Sequence, residues 1–209
     1  MRSEPRCPRC SADLHAPSIW SSEWTCDVHG AVAPLQPVVA PSPELAHSVA
    51  ASSAVPVWVP WPLPRGWLLT GIATAGDDRT GARAVAVACS GPAPLGGVGE
   101  LVLVAEEPGV GLGARFAGIA GPDPGTVPAG PADAKVTAAG HPTAVWELPA
   151  PTDRAVYVGE SHGCWIYLIV WPETAGFLLI DEFALTDLRD AGQVDLPCGA
   201  PSPRLHDPH

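Results

Sequence analysis

Four residues carry the clearest chemistry in this chain: Cys7 and Cys10 in Cys7-Pro-Arg-Cys10, and Cys26 and His29 in Cys26-Asp-Val-His29. Thiolate sulfur and imidazole nitrogen are preferred zinc ligands, and a two-residue spacer lets both members of a pair sit on one tight turn. Fifteen residues separate the pairs, enough for a hairpin that brings two such knuckles together and closes a tetrahedron. The turn residues agree. Pro8 stiffens the first knuckle, Gly30 directly after His29 permits positive φ, and Ser11 holds the matching place after Cys10. Four protein ligands leave no open position for water, so the expected metal is a structural zinc. Its binding would form part of the folding energy of a module too small for a core of its own. The competing readings are a redox Cys-x-x-Cys pair, a disulfide, and His15 in place of His29 as fourth ligand. Trp20 and Trp24, on one face of a candidate strand, are expected to turn inward over the metal.

Three other groups invite chemistry and form no coherent catalytic set, so no catalytic residue is assigned. Gly109-Val-Gly111-Leu-Gly113-Ala114 can be written as G-x-G-x-x-A, which lets a backbone approach a dinucleotide pyrophosphate. Glu106-Glu107-Pro108 separates it from the preceding strand, however, and no helix-length periodic run follows. Ser161-His162-Gly163-Cys164 places a hydroxyl, an imidazole and a thiol together, with His141 as a conceivable second metal ligand. The plainer reading is a hairpin turn with Cys164 partly buried. Glu106–Glu107 and Asp181–Glu182 are carboxylate pairs of the kind used in acid–base work, with solvated strand ends as the default explanation.

The elements that must position these groups follow from periodicity. Residues 1–34 form the candidate ribbon, and 35–54 is a Pro/Ala/Ser-rich linker with a short helix from Glu44 to Ala51. Val55-Pro-Val-Trp-Val-Pro-Trp-Pro-Leu-Pro64 follows, a polyproline-like strap expected to cross a domain surface. Its tryptophans, with Trp67, cover a core or meet a partner. Residues 55–191 read as an α+β domain built on a mainly antiparallel β-sheet. Strands are expected at Trp67–Thr74, Ala82–Cys89, Glu100–Ala105, Ala144–Leu148, Arg154–Glu160, Trp165–Trp171 and Gly176–Phe183. Leu185–Asp190 reads as a short helix or a strand end. A long Gly/Pro-rich connection, Pro108–Pro131, is expected to carry a short helical turn, and 192–209 to be a disordered tail.

Composition narrows the function classes. A net charge of −11 with a single lysine, Lys135, opposes nucleic-acid or anionic-membrane binding through a basic patch. Residues 1–30 lack the apolar run of a signal peptide, so a cytoplasmic location is expected, and paired cysteines there point to metal before disulfides. The most apolar stretch, Cys164–Leu185, is interrupted by Pro172, Glu173, Asp181 and Glu182 and cannot span a membrane.

Several segments together resemble a family of uncharacterised actinobacterial proteins: the two ligand pairs with Gly30-Ala-Val-Ala-Pro-Leu-Gln-Pro37, Val57-Trp-Val-Pro-Trp-Pro-Leu-Pro64-x-Gly-Trp67, Ala105-Glu-Glu-Pro-Gly-Val-Gly-Leu-Gly-Ala-Arg115, and Leu185-x-Asp-Leu-Arg-Asp190. The resemblance spans nearly the whole chain and implies a zinc-ribbon start and a conventional domain behind it. Leu63-Pro-x-Gly-Trp67 and Gly140-His-Pro-Thr-Ala-Val-Trp146 are also similar to segments of small α/β domains of bacterial envelope-associated proteins, which implies a curved antiparallel sheet. The leading expectation is a non-enzymatic protein whose ribbon and Trp/Pro strap meet a protein partner. The alternative is an enzyme or sensor that takes a phosphate- or acyl-group-containing ligand at loop 109–113.

Overall fold

The structure, a computed structural model, describes residues 4–125, 130–179, 183–192 and 194–206. Along the chain run β1 (Thr25–Cys26), β2 (Gly30–Ala31), α1 (Pro43–Ser52), β3 (Trp58–Pro60), β4 (Leu68–Asp77), β5 (Gly81–Pro92), β6 (Val98–Glu106), α2 (Leu112–Ala117), β7 (Ala134–Ala138), β8 (His141–Leu148), β9 (Ala155–Ser161), β10 (Cys164–Trp171) and β11 (Phe183–Asp187). Short 3-10 helices lie at Glu173–Leu179 and Pro203–Leu205. β1 and β2 pair as a small hairpin beside the cysteines. The other nine strands form one sheet in the order β3-β11-β7-β8-β9-β10-β6-β5-β4, antiparallel throughout except where β11 runs parallel to β7.

Alternation explains the architecture. In β5, Val85, Val87 and Cys89 face one side while Ala84, Ala86 and Ala88 face the other; in β6, Leu101 and Leu103 alternate with Val102 and Val104. Both faces of the central strands are apolar, so both must be covered. The sheet curls to enclose the first face: the segment entering β3 returns to the start of β5, where Ala54 N donates to Ala82 O at 3.0 Å. Inside the curl lie Val55, Val57, Trp58 and Val59 of the strap, together with Ala46 and Ala50 of α1. Ser42 caps α1 by accepting from Leu45 N at 3.1 Å, with Pro43 in the first turn, where its missing N–H costs nothing. The outer face is covered by Leu112, Phe116 and Ala117 of α2, by Ala33 and Leu35 behind the ribbon, and by Leu205.

The strap differs from its expected surface course. Trp58 and Trp67 are only 2% and 3% exposed, and Trp61 is half-buried, so the strap's apolar side chains are spent on the core. Asp187 locks it there. This buried carboxylate accepts from Val57 N at 3.0 Å and from the Arg189 side chain at 2.8–2.9 Å, while Arg189 Nη1 donates to Ala54 O at 3.1 Å. The Asp-Leu-Arg motif is therefore a clamp on the strap.

Further departures have local causes. Glu173–Leu179 is 3-10 helix where alternation through 176–183 predicts strand, and among the described residues that follow, Phe183–Asp187 is strand; a short apolar run fits either period. Asp181 and Glu182 lie outside the described residues. β7, which sequence patterning misses, is only five residues long and mixes polar with apolar positions. The supposed linker and tail both line β4. Gln36 N donates to Thr74 O and Gly76 N to Pro34 O, and Leu69 N donates to Pro197 O and Ser202 N to Thr70 O. Leu196 and Leu205 are buried, so the described residues 194–206 form an ordered edge where a disordered tail is expected. Few hydrophobics in a segment do not make it free when each one finds a slot. No helix among the described residues is long and apolar enough to cross a membrane.

Replacing Arg189 by Met would leave the Asp187 carboxylate buried without its charge partner. Urea unfolding should show a loss of about 3 kcal/mol at unchanged m-value.

Candidate metal centre and the loop beside it

The two knuckles meet as their spacing implies. Among the described residues, Cys7, Cys10, Cys26 and His29 form the one cluster of metal-ligand type, with their ligand atoms all within 4.8 Å of one another. Cys7 Sγ lies 3.5 Å and Cys26 Sγ 3.7 Å from His29 Nδ1, and Cys10 Sγ lies 3.8 Å from Cys26 Sγ. That last separation is far beyond an S–S bond of about 2.05 Å, and all six cysteines are free thiols. The first knuckle is closed by backbone, with Ser11 N donating to Cys7 O and Cys7 N to Ala12 O, both at 2.9 Å, and the second lies where Cys26 pairs with Gly30 across the hairpin. Ser11 and Gly30 occupy matching places with φ of 59° and 68°. Desolvation works upward on both buried thiols. It prevails at Cys7, which rises to about 11, while at Cys26 the backbone N–H groups of Val28 and His29 outweigh it and bring the thiol down to about 6.

His15 is not in the cluster; its Nε2 meets Asp27 Oδ1 at 2.9 Å near the surface. The tryptophans do not cover the site as expected. Trp20 is 90% exposed and its neighbour Ile19 91%, both at the turn where Ser18 and Ser21 bond each other's backbone. Residues 19 and 20 sit at the tip of the connection, beyond the paired part of the hairpin, so alternation does not govern them. Trp24 is half-buried and stands between two clefts of about 790 and 220 Å³. Both clefts also reach Asp77, Arg79 and Thr80 of the β4–β5 turn.

Arg9, between the first two ligands, ties the centre to the sheet domain. Its Nε donates to Val110 O at 3.2 Å and its Nη2 to Gly109 O, so the guanidinium straddles the glycine-rich loop. Gly111 is left-handed, with φ of 86°, and a Cβ there would meet Arg9 Cγ at 2.9 Å, so that position needs glycine twice over. Arg79 makes a second tie by donating to Ser22 O.

The loop's own amides are engaged from within. Gly109 N donates to Asp123 Oδ1 at 2.7 Å, Val110 N to Glu107 O at 3.2 Å, and Leu112 N and Gly113 N both donate to Glu106 Oε2, at 2.7 and 3.1 Å. An internal carboxylate thus sits where a phosphate would sit in a nucleotide-binding loop. The helix that follows is six residues long, and a Cβ on Gly113 would fall 2.3 Å from the Tyr167 ring. The two glutamates are not a working pair. Glu106 is fully buried on the face of Val102 and Val104, whereas Glu107 turns outward to Arg83 at 2.7 Å. Burial pushes Glu106 up to about 7 against the two amides that favour its charge, and Tyr167 is raised by burial and by Glu106.

Ser161 and Cys164 pair across the two-residue His162-Gly163 turn between β9 and β10, and His162 stacks edge-on to Trp58 at 5.8 Å. Burial raises the Cys164 thiol, which opposes a nucleophilic role. Sequence reasoning missed the tie made by Arg9, and it read Glu106 only as half of a carboxylate pair at a solvated strand end. A signal existed for Glu106, because alternation through Val102 and Val104 carries it onto an apolar face.

Glu106 makes stability pH-dependent with a definite sign. Its folded form holds the proton to about 7 while the unfolded chain releases it near 4.5, so this contribution is complete below 4.5 and lost as pH rises through about 7. Glu106→Gln keeps an acceptor for both amides and should remove that slope. Between pH 5 and 8, wild type should lose up to roughly 3 kcal/mol relative to the variant in urea unfolding.

No curated protein and no solved structure matches the chain. Over residues 1–205 it matches, and it belongs to, the family of unknown function DUF6758.

Proposed function

We propose that this chain is a non-enzymatic, cytoplasmic zinc-ribbon protein that presents the ribbon tip to a protein partner. Ligand geometry supports the metal. Tetrahedral zinc with Zn–S near 2.3 Å and Zn–N near 2.0–2.1 Å has edges of about 3.8 Å between sulfurs and about 3.5–3.6 Å from sulfur to nitrogen. The separations here are 3.8 Å for Cys10–Cys26 and 3.5 and 3.7 Å to His29. Cys7, Cys10, Cys26 and His29 would hold the ion and leave it no open position, which makes its role the folding of the ribbon.

The observation that carries the contact role is the tip itself. Ile19 and Trp20 are almost wholly exposed on a module that the metal centre and Arg79 hold in place. A bare tryptophan beside an isoleucine costs solubility and is the residue type that anchors protein interfaces. The strap is a weaker candidate for this part, since Trp58 is buried in the core and Trp61 is half-buried against it. The ligand-sensor alternative needs free amides in loop 109–113, and those of Gly109, Val110, Leu112 and Gly113 already have acceptors.

Native mass spectrometry should find one zinc per chain, and chelation should abolish the ordered ribbon while the sheet domain persists; a chain that purifies without metal and binds none would overturn the reading. Ile19→Ser with Trp20→Ser should leave unfolding stability within about 0.5 kcal/mol of wild type. The same double variant should lose the partners that wild type captures, and an unchanged set would refute the contact role.

A further inference from the structure

Arg9 joins the ribbon to loop 109–113 by polar contacts. It lies between Cys7 and Cys10, so its backbone position is fixed by the knuckle that those ligands close. Its guanidinium takes the carbonyls of Gly109 and Val110, and its Cγ occupies the space over Gly111 where a side chain would otherwise stand. The loop so held is anchored from below by Asp123 on Gly109 N and by Glu106 on Leu112 N and Gly113 N, and Trp165 Nε1 fixes the Asp123 carboxylate at 3.1 Å. Pro108, Gly109 and Val110 also form one wall of the 220 Å³ cleft, opposite Trp24 and residues 31–34 of the ribbon.

We infer that the knuckle is a metal-dependent latch: with the ion bound, Arg9 clamps loop 109–113 against the sheet, and without it the loop and the cleft it walls are released. The physical reason is entropic. An arginine side chain has large rotamer freedom to lose, which two carbonyl bonds offset only if the backbone bearing it is already ordered. Arg6 is paired to Leu35 through both backbone groups, so the chain is held up to the knuckle, but from Cys7 to Ser11 only two turn bonds shape it until the thiols and imidazole are joined through a metal. The anchors from below do not depend on the ion, so release is local: α2 and the sheet stay folded while the loop opens and closes more often. The latch presupposes the zinc proposed above.

Hydrogen exchange on the full chain tests it. Chelating the wild-type protein should speed exchange in loop residues 109–113 by about tenfold or more, with the later amides of α2, β6 and β10 unchanged. Arg9→Ala should retain one zinc by native mass spectrometry and show the same acceleration with the metal in place, whereas Arg79→Ala, which removes the other tie to the ribbon, should not. Three results would each overturn the latch: a wild-type loop that stays protected after the metal is stripped, an Arg9→Ala loop that exchanges like wild type, or acceleration that spreads through β6 and β10. The failure of the underlying reading is distinct from these, because it shows as a wild-type chain that carries no zinc before any chelator is added.

Discussion

Strands β5, β6 and β10 are apolar on both faces, and a sheet of that kind cannot stand until both faces are shielded from water. The other features of the chain answer this requirement. Curling lets the sheet and the Trp/Pro strap enclose one face, and α2, the stretch behind the ribbon and Leu205 close the other. Each cover is then tied by a polar contact at its rim. Asp187 and Arg189 hold the strap. On the outer face, the guanidinium groups of Arg154 and Arg204 lie 5.0 and 4.9 Å from the Trp171 ring centroid and are themselves paired with Asp153 and Glu100. Arg9 holds the ribbon.

Legibility in the sequence follows from how local each cause is. Ligand spacing is local, and the four side chains it singled out do lie together, with matching φ at Ser11 and Gly30. Strand alternation is local too, and most of the sheet came from it. What depends on distant partners was illegible. Whether Trp20 turns inward is decided by where the hairpin ends, and whether the segment around Leu196 is tail or edge is decided by β4, which lies most of the chain away. Residues 173–179 failed for another reason, since an apolar run of three or four residues has no unique period.

The glycine-rich loop shows how a motif can be right in form and wrong in use. Its glycines do allow close approach, and a carboxyl group does accept from amides at the start of a helix. That group is Glu106, delivered by the strand just before the loop, and the body that approaches closely is Arg9 on one side and Tyr167 on the other. The same backbone geometry that elsewhere receives a nucleotide here fastens one part of the chain to another.

The outer edge of β4 has a consequence for biosynthesis. Its upper half is sealed by residues 34–39, made before it, but its lower half is sealed by residues 197–202, which leave the ribosome only after every strand of the sheet has been made. Throughout that interval Leu69 and Thr70 offer unpaired backbone to any extended neighbour. The nascent chain is therefore most open to strand-seeking chaperones, and to mispairing with its own siblings on a polysome, late in synthesis, when the rest of the sheet is already complete.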